Sequence, residues 1–261
     1  MKTPKVSFRD PTALPLPNIA LVSAEYIAYA ITYIHTFSTK GSHSKIAVIG
    51  WSQGTVDTQW ALKYWPSTNA LVTDFIAISP DFKGTYQQLI CPGFHLKVPC
   101  APGPAQQINS SEFLKTLRSG GGGSAIVPTT VVYSATDESV QPEDRGEGAS
   151  SWMGDRNGVG AANIRVQDVC EGKGPGGGTY THSSVLMHPV TWALVQDALK
   201  HDGPGDIKRI DLEAECRNIA AAGLSVEDVQ DTVMLLVSAF VQIVMYPGKG
   251  FSEPEIKGYA R

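Results

Sequence analysis

"KIAVIGWSQGTVDTQW", residues 45–60, sets an apolar run, the pentapeptide Gly50-Trp51-Ser52-Gln53-Gly54 and a helix-like stretch end to end. The run at 45–50 is short, continuous and rich in β-branched residues, the pattern of a parallel strand buried on both faces. Residues 55–65 read as a helix that ends before Pro66. A Gly-x-Ser-x-Gly sequence between a strand and a helix has the context of a nucleophile elbow, in which the serine sits on a strained turn. Its neighbours must be small for the backbone to fold so tightly. The turn lifts the hydroxyl above the sheet edge and aims the backbone N–H of Gln53 at the place where an oxyanion would form. Ser52 is therefore the expected nucleophile, against the plainer reading of a serine in a chance glycine-rich turn.

Outward from this stretch, strand and helix patterns alternate. "DFIAIS" (74–79) reads as a second buried strand stopped by Pro80, "PTTVVYS" (128–134) as a third and "NIRVQDVC" (163–170) as a fourth. Apolar residues at 26, 27, 30, 31 and 34 predict a helix over 23–37. Further helices are expected at 111–120, at 182–199 with Pro189 shaping its first turns, and after Ser225, where Ser225 and Asp228 form an N-terminal cap. Residues 1–17 are proline-rich and read as irregular, 91–104 as a loop, and "GGGGS" (120–124) as a flexible connector. The order implies an α/β fold with a mostly parallel sheet flanked by helices. The chain of 261 residues suits one α/β domain better than two small ones, and no internal repeat is visible.

A serine hydroxyl needs a base to take its proton, and the base needs an acid to orient it. Behind a nucleophile elbow the chain order is serine, then Asp or Glu, then His. Asp137, just past the third strand in "YSATDES", is the expected acid, with Glu138 beside it as a competing candidate. His35 and His43 precede Ser52, His95 precedes Asp137, and His201 closes a helix beside Lys200 and Asp202, where a solvated histidine is usual. His182, in a loop at a helix start, is favoured as the base over His188, which is expected one to two turns inside that helix.

A formal net charge of −4, with no basic run, gives nucleic-acid binding no support. Cysteines at 91, 100, 170 and 216 follow neither C-x-x-C nor zinc-finger spacing. Disulfides would fit a secreted protein, and free thiols a cytosolic one. Cys91 and Cys100 lie near enough in sequence to close a small ring. Arg9, Asp10 and four prolines by position 17 interrupt the region where a signal peptide would have its apolar core. No uninterrupted apolar run reaches the ~18 residues of a spanning helix.

The stretches "GWSQG", "TQW", "SPDFKGT", "IVPTTVVYSATDESVQP", "DVC" and "GYAR", in this order, resemble the fungal lipase B family from about Ser23 to Arg261. The resemblance implies an α/β-hydrolase fold and hydrolysis of carboxylic esters, acylglycerols included, through an acyl-enzyme and with neither cofactor nor metal. It implies Ser52 as nucleophile, Asp137 as acid, His182 as base and Gln53 as an oxyanion-hole donor. Thr181-His182 stands where the family has an aspartate-histidine pair. Trp51, in the matched motif, is expected on the substrate side, and Asp81 and Gln107 match polar residues on the family's acyl side. Leu236, Ala239, Phe240 and Ile243 would border the substrate channel, with ordinary core packing as the alternative for that face. Cys170–Cys216 matches a family disulfide, whereas Cys91–Cys100 rests on proximity alone. Family members begin with a longer segment that holds the first strands and a loop with further oxyanion donors. This chain starts late by that comparison, and its tail stops short of the family's last disulfide. The resemblance implies secretion, with the cytoplasm as the alternative because no signal peptide is visible. It also implies a monomer acting on a small-molecule ester with transient contact at a lipid interface. An acyltransferase using the same three residues, or a scaffold that binds a lipid or a partner, are the other classes compatible with these residues.

Overall fold

The computed structural model of the chain describes residues 20–38, 45–86, 91 and 98–261. Among these residues, four strands, β1 (Ile46–Trp51), β2 (Val72–Ile78), β3 (Thr129–Tyr133) and β4 (Ala161–Arg165), pair in that order, each parallel to its neighbour. β2 and β3 are the inner strands and are buried nearly throughout, which is why their sequences are apolar on both faces. Parallel neighbours need crossovers. Helix α2 (Gln53–Tyr64) links β1 to β2, and α3 (Pro102–Gln106) and α4 (Glu112–Arg118) lie between β2 and β3.

Alternation along the strands divides the core in two. Phe75, Ala77, Val131 and Tyr133 face one layer, where they pack with Leu21 and Ile31 of α1 (Ala20–Ser38), Trp60 of α2 and Phe113 of α4. Trp60 and Phe113 stack there with ring centroids 4.6 Å apart. Ile76, Ile78, Val132 and Ile164 face the other layer, against Val190, Leu194 and Val195 of α6 (Pro189–Ala198). Because all four strands run the same way, their carboxyl ends share one edge of the sheet, the edge where such folds place ligands.

Several sequence expectations are corrected. The predicted fourth strand is strand only over Ala161–Arg165; the chain then turns into the short helix α5 (Val166–Val169), whose Cys170 end is tied by a disulfide. The 91–104 loop gives way at its end to α3, which starts on Pro102, a residue suited to a first helical turn. The "GGGGS" connector is ordered: Gln59 Nε2 donates to the carbonyls of Gly122 (3.0 Å) and Ser124 (2.9 Å). A Cβ on Gly122 would lie 1.9 Å from Leu117 O, so glycine there serves packing rather than flexibility. His188 is not inside α6 but caps its N-terminus, its Nδ1 accepting from Val190 N at 3.1 Å. The irregular reading of 1–17, and His43 and His95, lie outside the described residues.

Beyond the short α7 (Leu212–Cys216), the Ser225–Asp228 cap is a reciprocal capping box that starts α8 (Val226–Met245). This helix is long and apolar enough, by length and composition, to cross a membrane. Here Ala239 and Ile243 are buried while Val233, Met234, Val237, Val241 and Val244 are exposed. Cys170–Cys216 and Cys91–Cys100 are both bonded, each with Cα atoms 5.4 Å apart.

Candidate active site

Ser52 joins β1 to α2 at φ 53° and ψ −131°, a left-handed conformation that costs a non-glycine residue about 1–3 kcal/mol. The surroundings hold it there. Its N–H donates to Ile78 O at 3.1 Å, extending the β1–β2 ladder, and its own carbonyl accepts from Thr55 N at 2.9 Å. A Cβ on Gly50 would meet Gly54 O at 3.1 Å, so the turn closes only with a small residue before the serine. A Cβ on Gly54 would meet nothing within 4 Å, so packing makes no such demand at that position. Gln53 opens α2, and as a leading helical residue its backbone N–H has no acceptor within the helix.

Asp137 lies beyond β3 in a tight turn, 1% exposed. Its Oδ1 accepts from the backbone N–H groups of Ser139 and Val140, both at 2.8 Å, which orients Oδ2 toward His182. His182 Nδ1 is 2.7 Å from Asp137 Oδ2 and His182 Nε2 is 2.7 Å from Ser52 Oγ. An ionised carboxylate can only accept, so the proton sits on Nδ1 and Nε2 accepts from the serine hydroxyl. Burial works against an imidazolium at His182. The Asp137 carboxylate, then those of Asp81 and Glu138, outweigh it and raise the pKa above the ordinary histidine value.

The backbone of His182 is fixed at both ends. Its N–H donates to Glu138 Oε2 at 2.9 Å, which gives the competing acid of the sequence a different place from Asp137. Its carbonyl accepts from Trp51 Nε1 at 3.1 Å and from Ser79 Oγ at 3.2 Å. Ser79 is a second non-glycine residue at positive φ (46°), and nothing local in the sequence marks a serine after a strand as strained. His188 is remote from this line: it is fully buried and its Nε2 donates to Gly176 O at 2.9 Å. Burial pushes its pKa down to about 4.

A cavity of about 130 Å³ opens in front of Ser52 and His182. Trp51, Asp81, Gln107, Leu236, Ala239, Phe240 and Ile243 line it, so all seven expected substrate-side residues converge there. Thr85, Cys91, Pro104, Ile108, Ser139 and Val140 complete the wall, and no short-range sequence signal singled them out for it. Gln107 Nε2 donates to Gln53 Oε1 at 3.0 Å, and Gln53 Nε2 to Asp57 Oδ2 at 3.3 Å. Burial raises Asp57 well above the usual carboxylate range. Asp81 is 1% exposed with neither oxygen partnered. Burial pushes it up to about 7, with His182 pulling it down and Asp137 pushing it further up. Among the described residues, no three His, Cys, Asp or Glu side chains converge as a metal site.

A parallel sheet with helices on both faces, and a strained serine between its strand and its helix at the carboxyl edge, is the α/β-hydrolase arrangement. No protein-family model matches the chain. Its relatives place it further: it is 34% identical over 246 residues to Lipase B of Pseudozyma antarctica, spanning 94% of this chain and 67% of that protein. The chain belongs to the lipase B family. The crystal structure of Aspergillus fumigatus lipase B superposes with a TM-score of 0.87 at 48% identity, covering 94% of this chain. The chain spans 57% of that solved relative.

Proposed function

We propose that this chain is a serine hydrolase of carboxylic esters, with Ser52 as nucleophile, His182 as general base and acid, and Asp137 as the group that orients and charges the imidazole. The observation that supports this most is the unbroken line Asp137–His182–Ser52, 2.7 Å at each contact, facing an apolar-walled cavity. In the forward half, Ser52 Oγ attacks the ester carbonyl as its proton passes to His182 Nε2. Negative charge on the carbonyl oxygen is met by the Gln53 N–H. Collapse of the tetrahedral species expels the alcohol, which takes the proton from His182 and leaves Ser52 acylated. Water, deprotonated by His182, then releases the carboxylic acid.

Substrate chains lie along Leu236, Ala239, Phe240 and Ile243, with Asp81 and Gln107 on the polar side. The exposed apolar residues of α8 next to the cavity mouth suit transient contact with a lipid surface. Two disulfides fit an oxidising, extracytoplasmic compartment. We take the active unit as one domain, working as a monomer. Hydrolysis of a short-chain nitrophenyl ester is the test. Turnover by the chain and its loss in Ser52→Ala are expected; turnover that survives in Ser52→Ala would overturn the assignment.

A further inference from the structure

Ser151 is fully buried, and its hydroxyl oxygen stands 2.5 Å from Pro80 O and 2.6 Å from Glu143 Oε1. A hydroxyl owns one hydrogen, and a proline carbonyl can only accept. Were Ser151 to give that hydrogen to an ionised Glu143, its approach to Pro80 O would set lone pairs against lone pairs. Both contacts hold a hydrogen only if Ser151 donates to Pro80 O and Glu143 donates to Ser151.

We infer that Glu143 is a neutral carboxylic acid whose O–H, relayed through Ser151 to the Pro80 carbonyl, clips the loop that carries Asp137 to the turn that carries Ser79 and Asp81. Glu143 is thereby a positioning residue for the site proposed above, and its importance to turnover rests on that reading. Ser79 holds the His182 carbonyl and Asp81 lines the cavity, so the clip fixes one side of both.

The surroundings agree. Glu143 is 4% exposed, its Oε2 has no partner, and among the described residues it enters no ion pair. Arg165 of β4 approaches only its backbone carbonyl, at 3.2 Å, while that guanidinium pairs with Asp168. The Lys83 ammonium, after β2, bonds the Glu147 carbonyl and forms no ion pair with Glu143, acting on it only through space. Tyr133 of β3 faces Glu143 as a neutral phenol, its own pKa raised by burial to about 12. Asp137 and Asp81 present charge of the same sign. Burial first, then the charges of Asp137 and Asp81, push the Glu143 pKa up to about 9; only a hydrogen bond given by Ser151 to a carboxylate would pull it down.

The test compares the whole chain with Glu143→Gln, whose amide keeps a donor for Ser151, and with Glu143→Met, which has none. The infrared difference spectrum of wild type minus Glu143→Gln at neutral pH is expected to contain a protonated-carboxyl C=O band that fades as the pH passes about 9. With a short-chain nitrophenyl ester, kcat/KM falls about tenfold in Glu143→Met, one hydrogen bond's worth, and Glu143→Gln restores it. A carboxylate band in place of the acid band, or a Glu143→Gln variant as impaired as Glu143→Met, would overturn the inference. The band is read on folded protein whether or not Ser52 reacts, so a failed ester assay and a failed Glu143 assignment remain distinct.

Discussion

Ser52 Oγ and His182 Nε2 stand 2.7 Å apart although 130 residues of chain separate them. The contact is built from rigid parts. The end of β1 and the start of α2 fix the serine, while Glu138, Trp51 and Ser79 fix the histidine backbone from three different segments. Each partner is locked before any substrate arrives, which is what an oriented proton acceptor needs.

Under the proposed mechanism, the charge beside His182 sets the acid limb of the pH profile. His182 must be neutral to accept the serine proton, and its pKa is raised by neighbouring carboxylates, Asp137 first among them. The kcat/KM for a nitrophenyl ester is therefore expected to fall, as pH drops, through a midpoint above the ordinary histidine value of about 6.5. Asp137→Asn should lower turnover by about 10^4-fold and move the midpoint of the residual activity down. An acid limb that stays in place in Asp137→Asn would show that Asp137 does not charge the base.

His188 makes an opposite, structural contribution. Its folded pKa of about 4 lies below the unfolded value, so its stabilisation is present above pH 6.5 and is lost as pH falls toward 4. The loss is on the order of 2–3 kcal/mol over that window. His188→Asn keeps a capping oxygen but has no group that titrates. Urea unfolding should give a flatter dependence on pH between 6.5 and 4 in this variant than in wild type. Parallel curves would refute the assignment.

Fold and site were legible in the sequence to different depths. Ser52, Asp137 and His182, which the structure brings into one hydrogen-bonded line, stand out in sequence because an elbow, a strand end and chain order are local or ordinal signals. The strands showed through their apolar runs. The second half of "NIRVQDVC" misled because Val166 and Val169 suit a strand locally, while the Cys170–Cys216 bond and the packing of Val166 favour a turn of helix. The glycines at 120–124 read as a loose linker because their partner, Gln59, lies 63 residues from Gly122. Ser79 and Glu143 were invisible for the same reason: their roles consist of contacts made by distant segments.

The two disulfides should differ in worth. Cys170–Cys216 closes a separation of 46 residues and Cys91–Cys100 one of 9. Loop-closure entropy predicts about 4 kcal/mol for the longer and about 2.5 kcal/mol for the shorter. Denaturant unfolding of the paired Cys→Ala variants should rank them in that order. A larger loss from Cys91/Cys100 replacement would place the stabilisation in native contacts rather than in the unfolded chain.

Ser52 is proposed to be an activated nucleophile, and covalent labelling reads this directly. The folded chain is treated with a fluorophosphonate at pH 8, digested and mapped by mass spectrometry. A single phosphonylated residue, Ser52, is expected, with labelling abolished in Ser52→Ala and strongly slowed in a His182→Gln variant of unchanged circular dichroism. A folded wild-type chain left unlabelled, or labelled at the same rate without His182, would contradict it.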